Sequence, residues 1–323
     1  MSEAILFTPK KKATVWSQKR LLQTWKAIVK HRWLYLMMMP GLIYFLIFRY
    51  LPLWNAQIAF KDFQPLLGVE ASPFLGNLFK HFQTFIKSFY FTQLISNTLI
   101  FSVLKLTLGM PIAIILALSL YESMYKRFAR LVQTISYMPH FLSWVIMFGI
   151  LLVMLSPGEG LINEVIKASG GTPIPFMISP KWFRLVVVGS DIWKETGWST
   201  IIYLAALMAI DPTLFESASV DGASRLQRIW FISLPGIIPT IVVVTLLRLG
   251  NILDAGFQQI FVLYSLPVYS VSDIIDTWVY RQGILEFQFS LATAVGLFKG
   301  VIGLALVLSA NRLAKRITGS GLY

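Results

Sequence analysis

The sequence lacks cysteine and carries little charge. None of its 323 residues is a cysteine, which excludes disulfides, thiolate metal sites and cysteine nucleophiles. Only 13% of the residues are charged, about half of the share found in an ordinary soluble domain. This composition disfavours a soluble enzyme, a disordered chain and a nucleic-acid-binding domain. The apolar content of 56% instead indicates a protein that lies in a lipid bilayer.

Three further absences narrow the function. The histidines at 31, 81 and 140 do not have metal-ligand spacing, so each is predicted to be a single surface or interfacial residue. No phosphate loop of the form G-x-x-x-x-G-K-[ST] occurs, so ATP is not expected to bind by that route. No cluster of His, Asp or Ser has catalytic spacing, which disfavours an integral membrane enzyme acting on lipids or glycans. We expect no catalytic residue, cofactor or metal in this chain.

Long apolar runs predict the fold. A bilayer core about 30 Å thick is crossed by about 20 mostly apolar helical residues. Six stretches satisfy this length, namely 33–50, 94–120, 131–155, 185–208, 233–253 and 291–310. The prediction is an all-α membrane protein with six transmembrane helices. The loops 51–93, 156–184 and 254–290 can hold short helices on the membrane but are too short for an independent domain.

The basic residues predict the orientation. Sixteen Lys and Arg residues lie in the N-terminal arm, the second and fourth interhelical loops and the C-terminal tail, against eight in the other three loops. Because basic residues concentrate on cytoplasmic flanks, both termini are predicted to be cytoplasmic. Residues 1–32 are then a basic arm at the lipid headgroups, 33–310 a single membrane domain with an uncleaved first helix, and 311–323 a tail. This pattern explains the pI of 9.9 without a nucleic-acid partner.

The fourth interhelical loop, 211–235, predicts a compact helical hairpin. Asp211 followed by Pro212 is a helix start, because the carboxylate caps free N–H groups and proline suits the first helical position. Gly222 is placed to end that helix, since glycine accepts a positive φ. A second short helix is predicted to run toward Ile232, and the next transmembrane helix to begin at Pro235.

This loop resembles a known family. Transmembrane subunits of binding-protein-dependent ABC importers carry the pattern Glu-Ala-Ala, three residues, Gly, nine residues, Ile-x-Leu-Pro. The sequence departs from it at one position, Ser217 in place of the first alanine. The residues predicted from the resemblance to couple to an ATPase are Glu216, Ser217, Ala218, Asp221, Gly222, Ala223, Ile232, Leu234 and Pro235. The alternative is a capped hairpin without a partner.

The resemblance implies the type I ABC importer permease fold and a set of partners. The loop would be a coupling helix docked in a groove of a separate ATPase subunit, which binds ATP and Mg. The implied complex holds two such ATPases, a second homologous permease (identical or different) and an extracytoplasmic substrate-binding protein. The expected location is the bacterial cytoplasmic (inner) membrane.

The resemblance extends over most of residues 33–323. The stretches 133–144, 191–195, 250–257 and 294–299 are similar to a sugar-importer branch that serves oligosaccharides derived from polysaccharides. That branch includes importers of uronic-acid oligomers such as alginate fragments. The implied cargo is therefore an oligosaccharide, with an acidic, alginate-like one as the finer expectation.

Charged residues inside the predicted helices are the candidates for the path of the cargo. A charge at mid-bilayer costs about 2.5–3.5 kcal/mol on insertion scales, so these side chains are expected to face protein, water or one another. The candidate path residues are Asp191, Trp193, Lys194, Glu195, Trp198, Arg248, Asn251 and Asp254. The last three form an i, i+3, i+6 stripe on the predicted fifth helix, which resembles the sugar-lining face in the maltose importer.

Structural roles compete with each of these assignments. Asp191 and Lys194 have the spacing of a neutralising pair on one helix face. Lys105 and Lys299 are alternatively predicted to extend to the lipid headgroups. The stripe formed by Arg248, Asn251 and Asp254 is alternatively predicted to contact a partner subunit. A secondary transporter driven by an ion gradient is the alternative function, and it would be expected to show inverted repeats, of which the sequence has none.

Overall fold

The structure is a computed structural model that describes residues 29–318. Positions 1–28 of the predicted arm and 319–323 of the predicted tail lie outside the described residues. The α-helices are α1 (Arg32–Phe45), α2 (Leu51–Trp54), α3 (Gly68–Ala71), α4 (Lys80–Ile86), α5 (Phe91–Tyr121), α6 (Lys126–Tyr137), α7 (Trp144–Leu155), α8 (Leu161–Ala168), α9 (Pro180–Met208), α10 (Pro212–Val220), α11 (Arg225–Arg228), α12 (Leu234–Gly250), α13 (Phe257–Leu263), α14 (Tyr269–Ser272), α15 (Ile275–Tyr280) and α16 (Phe289–Thr318). The 3₁₀ turns are Asn55–Phe60, Met138–Phe141, Ile252–Asp254 and Leu266–Val268, and the π turns are Leu46–Tyr50, Ile229–Ser233 and Arg281–Leu285. Within residues 29–318, β pairing is limited to an isolated bridge between Lys61 and Phe74.

The described residues divide into two compact units, with the boundary after Gln57. In the first unit, α1 is almost entirely apolar and buries none of its residues. A helix with apolar side chains exposed on all sides is suited to lipid, which does not penalise apolar surface. The helical run Arg32–Phe60 has 29 residues, so the first transmembrane helix is longer than the predicted 33–50.

The second unit is organised around the packing of α5 against α9. Ala113 and Ala117 of α5 are fully buried, as are Tyr203 and Leu207 of α9. The small alanine side chains let the two backbones approach closely. The Thr200 hydroxyl also donates a 3.2 Å hydrogen bond to the Ala113 carbonyl. These two helices agree with the second and fourth predicted transmembrane helices and extend a few residues beyond them.

The predicted third helix, 131–155, is wrong as a single straight helix. The run Lys126–Phe141 is followed by Trp144–Leu155 at an angle of 109°. Ser143 adopts an extended conformation and its side chain accepts a hydrogen bond from the Ile146 N–H, so a new helix begins there. Close approach of α6 to α9 accompanies the bend, because a Cβ at Gly197 would lie within 3 Å of the Ser136 backbone.

The fifth helix also differs from the prediction. Arg225–Gly250 is one helical run of 26 residues, so the next helix does not begin at Pro235. Proline has no N–H to donate to the carbonyl of Phe231, four residues earlier, and the π turn Ile229–Ser233 absorbs that missing bond without breaking the run. The run ends at Gly250 and not at 253.

The remaining helices complete the membrane unit. Within the described residues, four helical runs are long and apolar enough to cross a membrane. The number rises to six if each pair of helices joined by a sharp bend is counted as one membrane span. Short helices occupy the three predicted outer loops, as expected from their length. A separate apolar cluster formed by Phe85, Leu94, Trp278 and Leu291 packs α4 and α15 against α5 and α16.

Candidate functional site

The loop between α9 and α12 begins with a capped helix. An Asp211 carboxylate oxygen accepts a 3.0 Å hydrogen bond from the Thr213 N–H, and Pro212 is the first residue of α10. This backbone hydrogen bond lowers the pKa of the Asp211 carboxyl, so the cap weakens only as the pH falls into that lowered range. The predicted helix start is confirmed.

The end of α10 is a tight turn formed by local hydrogen bonds. Gly222 has a φ of +78°. Its N–H donates to the Ser219 carbonyl at 3.2 Å, and the Ala223 N–H donates to the Ala218 carbonyl at 2.8 Å. This pair of bonds is the Schellman arrangement, which satisfies the last carbonyls of a helix. Ser224 starts α11 at once through a capping box, so the predicted hairpin is confirmed.

Side-chain contacts hold α10 against the rest of the bundle. Arg228 donates a 2.9 Å hydrogen bond to the Ser219 hydroxyl and lies 3.7 Å from the Glu122 carboxylate, just beyond α5. The Phe215 ring lies 5.7 Å from the Tyr121 ring. The hairpin is therefore connected both to α5 and to the start of the long helix 225–250, so a force on α10 reaches two transmembrane helices.

One surface of α10 is open. Glu216 and Ser217 are exposed, and Val220 is 88% exposed. Among the other predicted coupling residues, Asp221 and Gly222 are exposed and Ala218 and Ala223 are half-buried. Ile232, Leu234 and Pro235 instead lie within the long helix 225–250. The predicted coupling residues therefore fall into two groups, one on the hairpin and one in the long helix that follows it.

Gly222 offers a test of the turn. We expect Gly222→Ala to destabilise the hairpin by about 1 kcal/mol, because L residues resist a left-handed backbone. No atom lies within 4 Å of a Cβ at this position, so the effect is conformational and not a clash. Gly222→Asn tolerates the conformation better and serves as the matched control. Hydrogen exchange of the 219–223 amides measures the change, and equal protection in both variants would contradict the argument.

The charged residues of α9 pair with other helices. Asp191 lies 3.0 Å from the ammonium of Lys105 on α5, and Lys194 donates a 2.6 Å hydrogen bond to the His140 carbonyl. The predicted Asp191–Lys194 pair is therefore wrong. The two residues share a helix face by spacing, but Asp191 contacts α5, whereas Lys194 contacts the turn after α6 and also lies 3.3 Å from the Glu195 carboxylate of its own helix. Lys105 is of intermediate burial, and its ammonium contacts Asp191 instead of extending to the headgroups.

His140, predicted to be a single interfacial residue, also has partners. Its Nδ1 lies 2.9 Å from a Glu195 oxygen, and its ring stacks on Trp198 with centroids 4.6 Å apart. Trp193 is separate from this group and lines an apolar cavity of about 490 Å³ together with Phe176. The predicted path residues of α9 thus lie in three places: Asp191 at Lys105, Trp193 at this cavity, and the remaining three around His140.

The predicted stripe on the fifth helix is wrong. The helix ends at Gly250, and the chain then turns through left-handed residues at 255 and 256. Arg248 donates a 2.6 Å hydrogen bond to Ser199 of α9. Asp254 instead pairs with Lys299 of α16, which also contacts Asp276 at 2.7 Å. The stripe therefore splits at the break in the helix.

Two cavities lie beside this break, and Gly256 lines both of them. A small one of about 150 Å³ is lined by Arg248, Asn251, Lys105 and Asp191 among others. A larger one of about 830 Å³ combines aromatic, amide and carboxylate side chains, including Trp144, Asp254, Phe257, Gln258, Asp276 and Tyr280. A cavity of this size with a few polar groups is typical of a small-molecule site.

Sequence reasoning missed several of these residues. Asp276 lies outside the predicted helices, and Gln259, which bonds Lys105, is an uncharged residue in a loop. The unpaired lysines at 105 and 299 in apolar helices were the only signal that carboxylate or amide partners had to exist.

A family profile matches residues 109–319 and is described as "Binding-protein-dependent transport system inner membrane component". The chain belongs to this family. It is the non-catalytic permease subunit of an ABC importer and a multi-pass inner-membrane protein with the type I importer permease fold. The family assignment and the fold class predicted from the sequence are confirmed, and nothing supports the secondary-transporter alternative.

Its relatives include two Bacillus subtilis (strain 168) proteins. One is the polygalacturonan/rhamnogalacturonan transport system permease protein YteP, 44% identical over 99% of this chain and 97% of that protein. The other is protein LplB, 44% identical over 93% of this chain and 94% of its own length. A crystal structure of a bacterial ABC transporter involved in the import of the acidic polysaccharide alginate contains a chain that is 43% identical, with a TM-score of 0.84, over 92% of this chain and 99% of that chain. A second structure of a bacterial alginate ABC transporter is in complex with an alginate pentasaccharide-bound periplasmic protein and matches with the same values.

Proposed function

We propose that this chain forms one half of the translocation path for an acidic oligosaccharide, with α10 coupling it to an ATPase. Both termini and α10 are then cytoplasmic, which the distribution of basic residues supports. The observation that carries the coupling role is a stiff, capped helix whose Glu216 side is exposed and whose other side is tied to Tyr121 and Arg228.

The proposed assembly has separate parts for energy, binding and passage. Two ATPase subunits would bind ATP and Mg, which agrees with the absence of a phosphate loop from this sequence. A second homologous permease, identical or different, would complete the path, and an extracytoplasmic binding protein would deliver the cargo. ATP binding would open the cavity toward the binding protein, and hydrolysis would reset it inward.

The acidic cargo is supported by chemistry from two directions. YteP is named for polygalacturonan, a polymer of a uronic acid, and alginate is described as acidic. In this chain, the cations Lys105 and Arg248 share a small cavity with the single carboxylate Asp191. A guanidinium presents planar donors that suit a carboxylate or a pair of sugar hydroxyls.

The experiment that tests this function is a cargo screen. The complex containing this chain would be purified with its co-expressed neighbours and reconstituted with the binding protein. ATP hydrolysis would be measured with uronic-acid oligomers and with neutral oligosaccharides of equal length. Stimulation by the uronic-acid oligomers supports the proposal, and stimulation by the neutral ones alone contradicts the acidic cargo.

Arg248 gives a sharper prediction. We expect Arg248→Gln to lower uptake of a uronic-acid oligomer about tenfold more than uptake of a neutral one, because a charge-assisted hydrogen bond is lost only for the acidic cargo. Arg248→Lys, which keeps the charge, should restore part of the uptake, and Arg312→Gln, at an exposed position of α16, is the matched control. Equal losses of uptake for the two cargoes would show that Arg248 does not contact the cargo.

A further inference from the structure

A cavity of about 680 Å³ lies where α5, α6, α9 and α10 meet. Lys126, Arg130 and Arg228 line it, with Glu122 as the carboxylate among its lining residues. Glu122 lies 3.7 Å from Arg228. Lys126 and Arg130 have no ion pair within 4 Å among the described residues 29–316. This basic cleft, defined by the three cations, therefore has an excess of positive charge that nothing in the described part of the chain neutralises.

Arg228 also has unused hydrogen-bonding capacity. Its Nη1 donates to Ser219, but its Nε is buried and has no hydrogen-bond partner in the described residues. A buried donor without a partner is energetically unfavourable. An anionic oxygen seated in the cleft would be near a donor that is now unsatisfied.

The other wall of the cleft is apolar. Leu120, Leu204 and Met208 line it beside the cations. Met124, which also lines the cleft, is 71% exposed, and the neighbouring Phe128 is 63% exposed. Cations beside a hydrocarbon surface suit an amphiphile, whereas a free anion or an acidic side chain of a protein would leave the apolar wall unused.

The position of the cleft agrees with the depth of a lipid headgroup. It lies at the end of α5, a helix of 31 residues that is long enough to cross the bilayer. Lys126 and Arg130 are one turn apart at the start of α6 and therefore lie on the same side of that helix. Both are exposed, so the cleft is accessible.

We propose that the basic cleft binds the phosphate of an anionic phospholipid, with its acyl chain along Leu120, Leu204 and Met208. Because Arg228 also holds Ser219 of α10, the lipid braces the base of the coupling hairpin. This consequence rests on the proposed coupling function, but lipid binding itself does not. Binding is therefore tested on the assembled complex without any transport measurement.

The test is lipid retention. The complex is placed in nanodiscs of equal phosphatidylglycerol and phosphatidylcholine, and the lipids that remain bound after release are counted by native mass spectrometry. We expect Lys126→Gln/Arg130→Gln to lower phosphatidylglycerol retention roughly twentyfold, since each cation near the surface contributes to anionic-lipid binding. The charge-preserving variant Lys126→Arg/Arg130→Lys should retain the lipid, which separates loss of charge from loss of fold.

Matched controls and contrary outcomes are available. Lys315→Gln/Arg316→Gln removes the same charge at exposed positions outside the cleft and should leave retention unchanged. Equal retention by the Lys126→Gln/Arg130→Gln complex would overturn the proposal. So would binding of inorganic phosphate in phosphatidylcholine discs without a preference for phosphatidylglycerol. A third outcome is that the Lys126→Gln/Arg130→Gln complex loses its ATPase but retains phosphatidylglycerol. This outcome would show that the cleft contacts a protein and would also overturn the proposal.

Discussion

Glu216→Lys is expected to abolish cargo uptake and cargo-stimulated ATP hydrolysis while the importer complex still assembles. Glu216 is exposed in the middle of α10, and the contacts that fold the hairpin come from other residues, among them Asp211, Gly222 and Arg228. The substitution therefore leaves the helix intact and reverses the charge on its open surface. A reversed charge facing a complementary group converts attraction into repulsion.

The measurement compares transport and ATP hydrolysis in proteoliposomes with co-purification of the ATPase. Glu159→Lys is the matched control, because it makes the same substitution at an exposed position in the loop between α7 and α8. It should leave both activities unchanged. Full transport by the Glu216→Lys complex would show that α10 does not couple through this surface.

Lys105→Met is expected to give the largest loss of stability. The Lys105 side chain is 11% exposed, and its ammonium contacts Asp191 at 3.0 Å and donates to the Ala255 carbonyl at 3.0 Å. Removing it leaves the Asp191 carboxylate, whose side chain is 21% exposed, without its cation. Breaking a fully buried pair costs about 3–5 kcal/mol, so we expect a loss of about 2–3 kcal/mol for this partly exposed one. It also removes one of the hydrogen bonds between α5 and the segment after Gly250, where the bond from Ser102 to the Ile252 carbonyl remains.

Thermal unfolding of the purified complex in detergent measures this effect. The double variant Lys105→Met/Asp191→Leu removes both charges and should recover at least half of the loss, since an apolar pair replaces an ionic one of similar volume. Lys87→Met, at an exposed lysine beyond α4, should change little. A double variant no more stable than Lys105→Met alone would show that the pair does not account for the loss.

Local features were predictable because they depend on neighbouring residues. The start of α10 at Asp211 and its end at Gly222 follow from hydrogen bonds that span two to five residues. The transmembrane helices follow from apolar run length, which the bilayer thickness sets. The family pattern in the same loop was confirmed by the match over residues 109–319.

The partners of charged residues were not predictable in this way. Spacing placed Asp191 beside Lys194, but the structure pairs Asp191 with Lys105, which lies 86 positions earlier in the chain. Spacing also continued the fifth helix through Asp254, which instead bonds Lys299 after the helix has ended. A hydropathy pattern records how apolar a segment is and contains nothing about which helix packs on which side of it.

By itself the sequence determined that this is a helical membrane permease with a capped hairpin between its fourth and fifth transmembrane helices. Only the tertiary structure decided the 109° bend after α6, the break after Gly250 and the distribution of ion pairs around the cavities. The physical reason is the distance along the chain over which each interaction acts. Caps, turns and hydropathy act within a segment, whereas buried charges are neutralised by whichever segment packing brings within reach.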